Sequence, residues 1–531
     1  MKSNEDSCAS ILDCFHTVSE DDVLKEIKKS NVTSCCLDPL PGSVFKDCLA
    51  DILPILTEIV NKSLSSGCFP DNLKHAIVTP LLKKANLDAD VLSNYRPISN
   101  LSYVSKLIER IASGQIQDYL RSNGLVSPVQ SAYRPHHSVE TALLRVQNDL
   151  LQALDCGQEA ILVLLDFSSA FDLIDHGLLS HRLENRYGIS GTVLAWIRSY
   201  LTGRTQSVVV KDVLSDDTPL TCGVPQGSVL GPLLFTLYSE PLQDLIASLG
   251  VQVMVYADDT QLYLCFDPAD RAKALAIMEK CIGLVKMWAT NNKLALNDSK
   301  TELIHVTSKF RHVSEPVTLV VGDSVIPASD NARNLGAVID SNLTMKPHID
   351  RVCRSAMIAI HRIGQIREHL DNATTARLVH AFVTSVLDSC NSLVYGLPEC
   401  HLNRLQRIQN IAARLVARIP RSHHITPTLR TLHWLPVKQR SVYKILLLAY
   451  KTQHHLAPQY LTDLISPYKP QRTLRSSSQS LLTTSFRAST KFYGNRTFAH
   501  AAMELWNKLP QNVREAETVS CFKKLLKTAL F

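Results

Sequence analysis

Three aspartates stand where carboxylate chemistry is available. Asp166 closes the apolar run ILVLL (161–165), and Asp258 and Asp259 sit side by side in VQVMVYADDTQLYL, between two β-prone runs. A strand end holds a side chain firmly while leaving it open to a cleft. Carboxylates gathered there repel one another unless a cation neutralises them, and hard oxygen ligands with open positions suit Mg²⁺, with Mn²⁺ as a substitute. Two such ions about 3.5–4 Å apart activate an attacking hydroxyl and stabilise a leaving phosphate oxygen. Taken singly, each aspartate reads better as a turn or cap residue. The adjacent pair at a hairpin tip is harder to account for that way, although such turns occur on surface hairpins.

The elements that must position these acids are legible from periodicity. SEDDVLKEIKKS and LADILPILTEIVNKSL read as helices, HAIVTPLLKK as a strand, and NYRPISN as extended because Arg96 precedes a proline. The chain turns helical from about Ser102, and SVETALLRVQNDLLQAL is a second helix leading into ILVLL, a central strand. VLAWIRSYL is helical, SVVVKD a strand, and TCGVPQGSVLGPLLF a loop entering a helix; VQVMVYADDTQLYLCF is a hairpin. RAKALAIMEKCIGLVKMWATNN is helical, KTELIHV and PVTLVVGDSVI are strands, and helices dominate from about residue 345. The stretch 471–490 reads as flexible.

The order of motifs resembles the palm of a reverse transcriptase: LLDFSSAFDLIDH, GVPQGSVLGPLLF, YADD, then LALNDSKTELI. With NYRPISNLSYVSKLIER, QSAYRPHHSVETALL, LAWIRSYLTGRTQSV and NLGAVIDSNLTMKPHI, the chain is similar to LINE-type (non-LTR) retrotransposon reverse transcriptases of the Jockey-like group. The resemblance is dense over about 20–420. It implies an α+β right-hand polymerase of fingers, palm and thumb with a helical, basic C-terminal domain. The implied boundaries are 1–70 for an N-terminal extension, 71–330 for fingers and palm, 331–420 for primer grip and thumb, and 421–531 for the C-terminal domain.

The resemblance also implies roles. Asp166 and Asp258 would hold two Mg²⁺ with Asp259 assisting, and Lys300 would protonate the leaving pyrophosphate. Phe171 would crowd the sugar 2′ position, and Pro225, Gln226 and Gly227 would approach the nascent base pair. Arg96 and Lys106 would meet the triphosphate, and Asn334, Leu335 and Gly336 would grip the primer. Partners would be template RNA, primer or target DNA and dNTPs. Departures are His136 and Val139, where relatives usually carry glycine and threonine. No endonuclease-like segment precedes residue 1 and the tail lacks a CCHC-type cluster. The expectation is the polymerase portion of a longer element, cut upstream or read from an internal Met1.

Charge is distributed unevenly. Residues 401–531 hold 21 Lys/Arg against 4 Asp/Glu, leaving 35 against 45 in the rest. That points to a polyanion, with Arg404, Arg407, Arg414 and Arg418 as nucleic-acid contacts. A chain of 531 residues exceeds one core, and 45% hydrophobic with 20% charged residues is ordinary for a globular protein. No apolar run approaches a membrane span, and the start shows no signal peptide. The 14 cysteines contain no CxxC pair and read as reduced thiols of an intracellular protein, nuclear or cytoplasmic. Two alternatives stay open beside a reverse transcriptase: a catalytically silent or co-opted retroelement relic that binds RNA, and an RNA-templated RNA polymerase.

Overall fold

The computed structural model describes residues 10–30, 35–84, 86–311, 316–322, 324–469 and 480–531. The chain forms two compact units, each assembled from separated segments. One comprises Met1–Tyr133, Phe167–Leu245 and Leu284–Asn297; the other comprises Arg134–Asp166, Ile246–Gly283 and Asp298–Phe531.

In the first unit, local signals start the helices. Ser19 accepts from the Asp22 amide while the Asp22 carboxylate accepts from the Ser19 amide, a reciprocal cap opening Glu20–Lys29. Ser102 caps Tyr103–Ser122 by accepting from the Ser105 amide. This helix buries Leu107, Ile108, Ile111 and Ile116, and with them Glu109. The strand His75–Leu82 runs antiparallel to Tyr95–Asn100 and parallel to Arg204–Val210. That sheet carries Ser99 and Arg96, the latter exposed near the edge.

The second unit is built on a four-stranded antiparallel sheet in the order Glu302–Val306, Glu159–Leu165, Asp259–Phe266, Gln252–Tyr256. All seven residues of Glu159–Leu165 are buried, as the unbroken apolar run requires of a central strand. The helix Val139–Asp155, capped by Ser138 and Thr141, contributes Leu143, Val146 and Leu150 to a core that also takes in Ile445, Tyr450, Trp506 and Phe522. The helices around Ile445, Trp506 and Phe522 therefore share a core with the sheet, while Ile360, Val379, Ile408, Ala412 and Trp434 form a second core among helices. Polar ties reinforce it: the Asp155 carboxylate accepts from the amides of Ser489, Thr490 and Gly494 at 2.6–3.1 Å. Residues 471–479 of the stretch expected to be flexible lie outside the described residues. From 480 onward that stretch is built in, with Leu482–Thr483 pairing Ser466–Pro467. Every described cysteine is a free thiol. Among the described residues no helix is long and apolar enough to cross a membrane.

Candidate active site

Register brings the carboxylates together. Leu165 pairs with Thr260, so one further step sets Asp166 across from Asp259. On its other side Leu164 pairs with Glu302, and Lys300, in the 3-10 turn Asp298–Lys300 just ahead of that strand, has its Nζ 3.0 Å from Asp166 Oδ2. The Gln252–Tyr256 and Asp259–Phe266 strands close as Tyr256 pairs with Asp259, leaving Ala257 and Asp258 as the two-residue turn. Ala257 holds φ 60°, a left-handed conformation that costs a residue with a Cβ about 1–2 kcal/mol and tends to persist at functional sites. Burial and the neighbouring Asp258 and Asp166 charges push the Asp259 carboxyl up to about 6.

In the other unit, the turn after Phe171 is bonded to the loop carrying Pro225, Gln226 and Gly227. The Val224 amide donates to the Phe171 carbonyl at 2.9 Å and the Gly223 amide to the Ile174 carbonyl at 2.8 Å. His176 Nε2 donates to the Gly223 carbonyl at 2.8 Å. Gln226 Nε2 donates to both Asp172 carboxylate oxygens, at 3.0 and 2.9 Å. Gly227 has φ 120°, and a Cβ there would meet the Ser99 carbonyl oxygen at 2.7 Å, so only glycine fits. The half-buried Phe171 ring lies 5.0 Å from Phe235. Behind the loop, the fully buried Glu109 carboxylate accepts from the Val229 and Leu230 amides at 2.7 and 3.1 Å, capping the helix Gly231–Ser239. Burial raises the Glu109 carboxyl, while those amides and the Arg204 charge oppose the rise.

Residues 82–339 match the family described as "Reverse transcriptase (RNA-dependent DNA polymerase)". The chain is 27% identical over 402 residues to "Probable RNA-directed DNA polymerase from transposon X-element" of Drosophila melanogaster, covering 73% of this chain and 43% of that protein. It is 26% identical over 379 residues to "RNA-directed DNA polymerase from mobile element jockey" of the same organism, covering 69% of this chain and 40% of that one. Over residues 82–339 the chain is similar to the reverse transcriptase family, and over a longer stretch to RNA-directed DNA polymerases of mobile elements. It spans less than half the length of these curated relatives. A solved structure of telomerase from Candida albicans overlaps 70% of this chain and 64% of its own at 12% identity and a TM-score of 0.34, a likeness too slight to add to the assignment.

The reverse transcriptase family works with divalent cations such as Mg²⁺. Among the described residues no group of three or more acids, histidines or cysteines is placed to hold a metal ion. Mg²⁺ asks less of a protein, since one or two carboxylates with waters and substrate phosphates complete its octahedron. The acids at this end of the sheet that could contribute are Asp166 and Asp259, set across from each other, and Asp258 on the turn.

Asn334, Leu335 and Gly336 lie at the tip of a second hairpin, formed by Asn331–Asn334 and Ala337–Asp340. Leu335 and Gly336 both have positive φ, 45° and 88°. The Asn334 amide turns inward and donates to the buried Gln261 of the Asp259–Phe266 strand at 2.7 Å, tying the two hairpins together. Arg351 donates to the Gly336 carbonyl from the helix Lys346–Gln365. On that helix the buried His348 is pushed down to about 4 by desolvation and by Arg351.

Lys106 is half-buried on the Tyr103–Ser122 helix. The four arginines on and beyond the helix Glu399–Ala417 diverge. Arg404 pairs with Asp350 at 2.5 Å, Arg414 donates to the Arg421 and His423 carbonyls, and Arg418 donates to the Arg367 and Leu370 carbonyls. Arg407 is exposed and has no hydrogen bond or ion pair among the described residues. Residue types alone do not separate these fates, because a carbonyl acceptor leaves no trace in sequence.

Sequence reading passed over Asp172, Glu109, Gln261 and His348. Two carried a signal: Asp172 adjoins Phe171 in AFD, and Glu109 falls inside the apolar stripe of its helix, where a charge demands a partner.

Proposed function

We propose that this chain is an RNA-directed DNA polymerase of a non-LTR retrotransposon, adding dNTPs to a primer 3′-hydroxyl on an RNA template. The observation that carries this reading is the register that sets Asp166 across from Asp259 at one end of one sheet, with Asp258 on the adjoining turn and Lys300 paired to Asp166. In this reading 71–330 act as fingers and palm, 331–420 as primer grip and thumb, and 421–531 as a basic C-terminal region. When bound, two Mg²⁺ ions would activate the hydroxyl and stabilise charge on the leaving pyrophosphate. Asp166 and Asp258 hold them and Asp259 assists. Lys300 carries the proton for the pyrophosphate, Phe171 excludes a 2′-hydroxyl by bulk, and the 225–227 loop backs the nascent base pair. Arg96 and Lys106 meet the triphosphate, Leu335 and Gly336 bear on the primer, and exposed cations such as Arg407 contact phosphates.

Mg²⁺-dependent extension of oligo(dT) on poly(rA) tests the proposal. Product from the wild type and none from Asp258→Ala supports it. No product from the wild type, or equal product from the variant, overturns it. RNA binding without extension would leave the relic as the better description.

A further inference from the structure

The contact between Asp172 and Gln226 has a polarity. A carboxylate accepts hydrogen bonds, whereas a carboxamide donates through nitrogen and accepts through oxygen. With Nε2 shared between Asp172 Oδ1 and Oδ2, the amide of Gln226 is oriented nitrogen toward Asp172 and oxygen away from it. A free glutamine would present either end. The backbone around it is also pinned: the Gln226 carbonyl accepts from the Ser99 amide at 2.7 Å, and Gly227 lies against the Ser99 carbonyl. The loop cannot rotate to compensate for a flipped amide. Asp172 is itself held, because its backbone packs within 2.6–2.9 Å of where a Gly223 Cβ would lie and its two neighbouring carbonyls, at Phe171 and Ile174, accept from the loop.

We infer that Asp172 is a positioning residue for nucleotide selection: it fixes the Gln226 amide so that Oε1, an acceptor, is the end offered to the incoming nucleotide. An acceptor there selects for a hydrogen-bond donor on the nucleotide and repels a carbonyl or phosphate oxygen. The inference rests on the polymerase reading, and it deepens that reading by assigning the 225–227 loop a defined hydrogen-bond polarity set from outside the loop.

Steady-state dTTP incorporation on poly(rA)/oligo(dT) by Asp172→Asn separates orientation from attachment. Asparagine can bond Gln226 in either orientation, so the two segments stay joined while the polarity is lost. The expected result is a KM for dTTP raised about tenfold, kcat within about threefold, and a melting temperature within about 2 °C of wild type. Misincorporation should rise in parallel. Asp172→Ala removes the bond altogether and should raise KM similarly while also lowering the melting temperature. An Asp172→Asn enzyme with wild-type KM and misincorporation would overturn the inference alone. A loss confined to kcat, or a KM change seen only in Asp172→Ala together with lost stability, would reduce Asp172 to a structural tie and overturn it too. Absence of extension by the wild type would overturn the polymerase reading and this inference with it.

Discussion

The strand Glu159–Leu165 has a carboxylate at or just beyond each end, in opposite circumstances. Glu159, with a side chain 1% exposed, receives two bonds from Arg271 at 2.9 and 3.1 Å and one from His305 at 2.9 Å, with Arg311 at 3.6 Å. Burial raises its carboxyl, but Arg271 and His305 outweigh that and hold it below the usual range. Asp166, just past the other end and 33% exposed, has Lys300 beside it and the Asp258–Asp259 pair across the sheet edge. There the balance of charge is negative, and Asp259 is driven up rather than down. A carboxylate saturated by built-in cations holds a fold together. One set among like charges at a strand end is instead disfavoured in its ionised form.

The sharpest way to break this comparison is to remove one carboxylate from each end. Asp258→Ala should lower primer extension by at least about 10³-fold, and Asp259→Asn should leave the metal-free melting temperature unchanged or higher, because burial and the Asp258 and Asp166 charges disfavour its ionised form. Denaturant melts of Glu159→Ala should show the reverse, a loss of about 1–3 kcal/mol, since the partly buried Arg271 and the buried His305 lose their hydrogen-bond partner. If Asp259→Asn and Glu159→Ala lose stability alike, the distinction between the two ends is wrong.

A buried titratable group without an opposite charge gives an intermediate case. His348 ionises near 4 in the fold against about 6.5 in the unfolded chain, so the unfolded state takes up the proton first. Stability should therefore fall as pH drops from about 6.5 toward 4, by up to ~3 kcal/mol. Melting curves across that window should flatten in His348→Gln. The smallest effect concerns the hairpin tip itself. Ala257→Gly should stabilise the metal-free protein by about 0.5–1 kcal/mol, because glycine adopts φ 60° without strain. A destabilised Ala257→Gly protein would mean that the tip is not under backbone strain.

Much of the site was legible because its chemistry is local to motifs. The strand ending at Leu165, the YADD hairpin and the Ser102 and Ser138 caps rest on periodicity and on side chains that bond within a few residues. The partnership of Asp166 with Lys300, 134 residues away, was not legible, because it depends on the register of two paired strands. The internal bonds of Arg404, Arg414 and Arg418 were hidden for the same reason. Their acceptors, Asp350 and a set of backbone carbonyls, become neighbours only after helices pack. Asn334 shows the same limit: the resemblance assigns it to a primer-gripping turn, and only the packing of the two hairpins reveals that its amide nitrogen donates to Gln261.

The sequence by itself determined which groups could do chemistry here: aspartates at strand ends, a glycine in the loop 225–227, an aromatic five residues after the first acid. These follow from residue type and short-range geometry. Tertiary structure alone decided which charges are neutralised and which way polar side chains face. Asp166 is set between Lys300 and Asp259, Glu159 is enclosed by cations, and Gln226 is turned by Asp172. The physical reason is that hydrogen bonds and Coulomb interactions depend on distance in space, and strand register and helix packing set those distances over separations that no local pattern encodes.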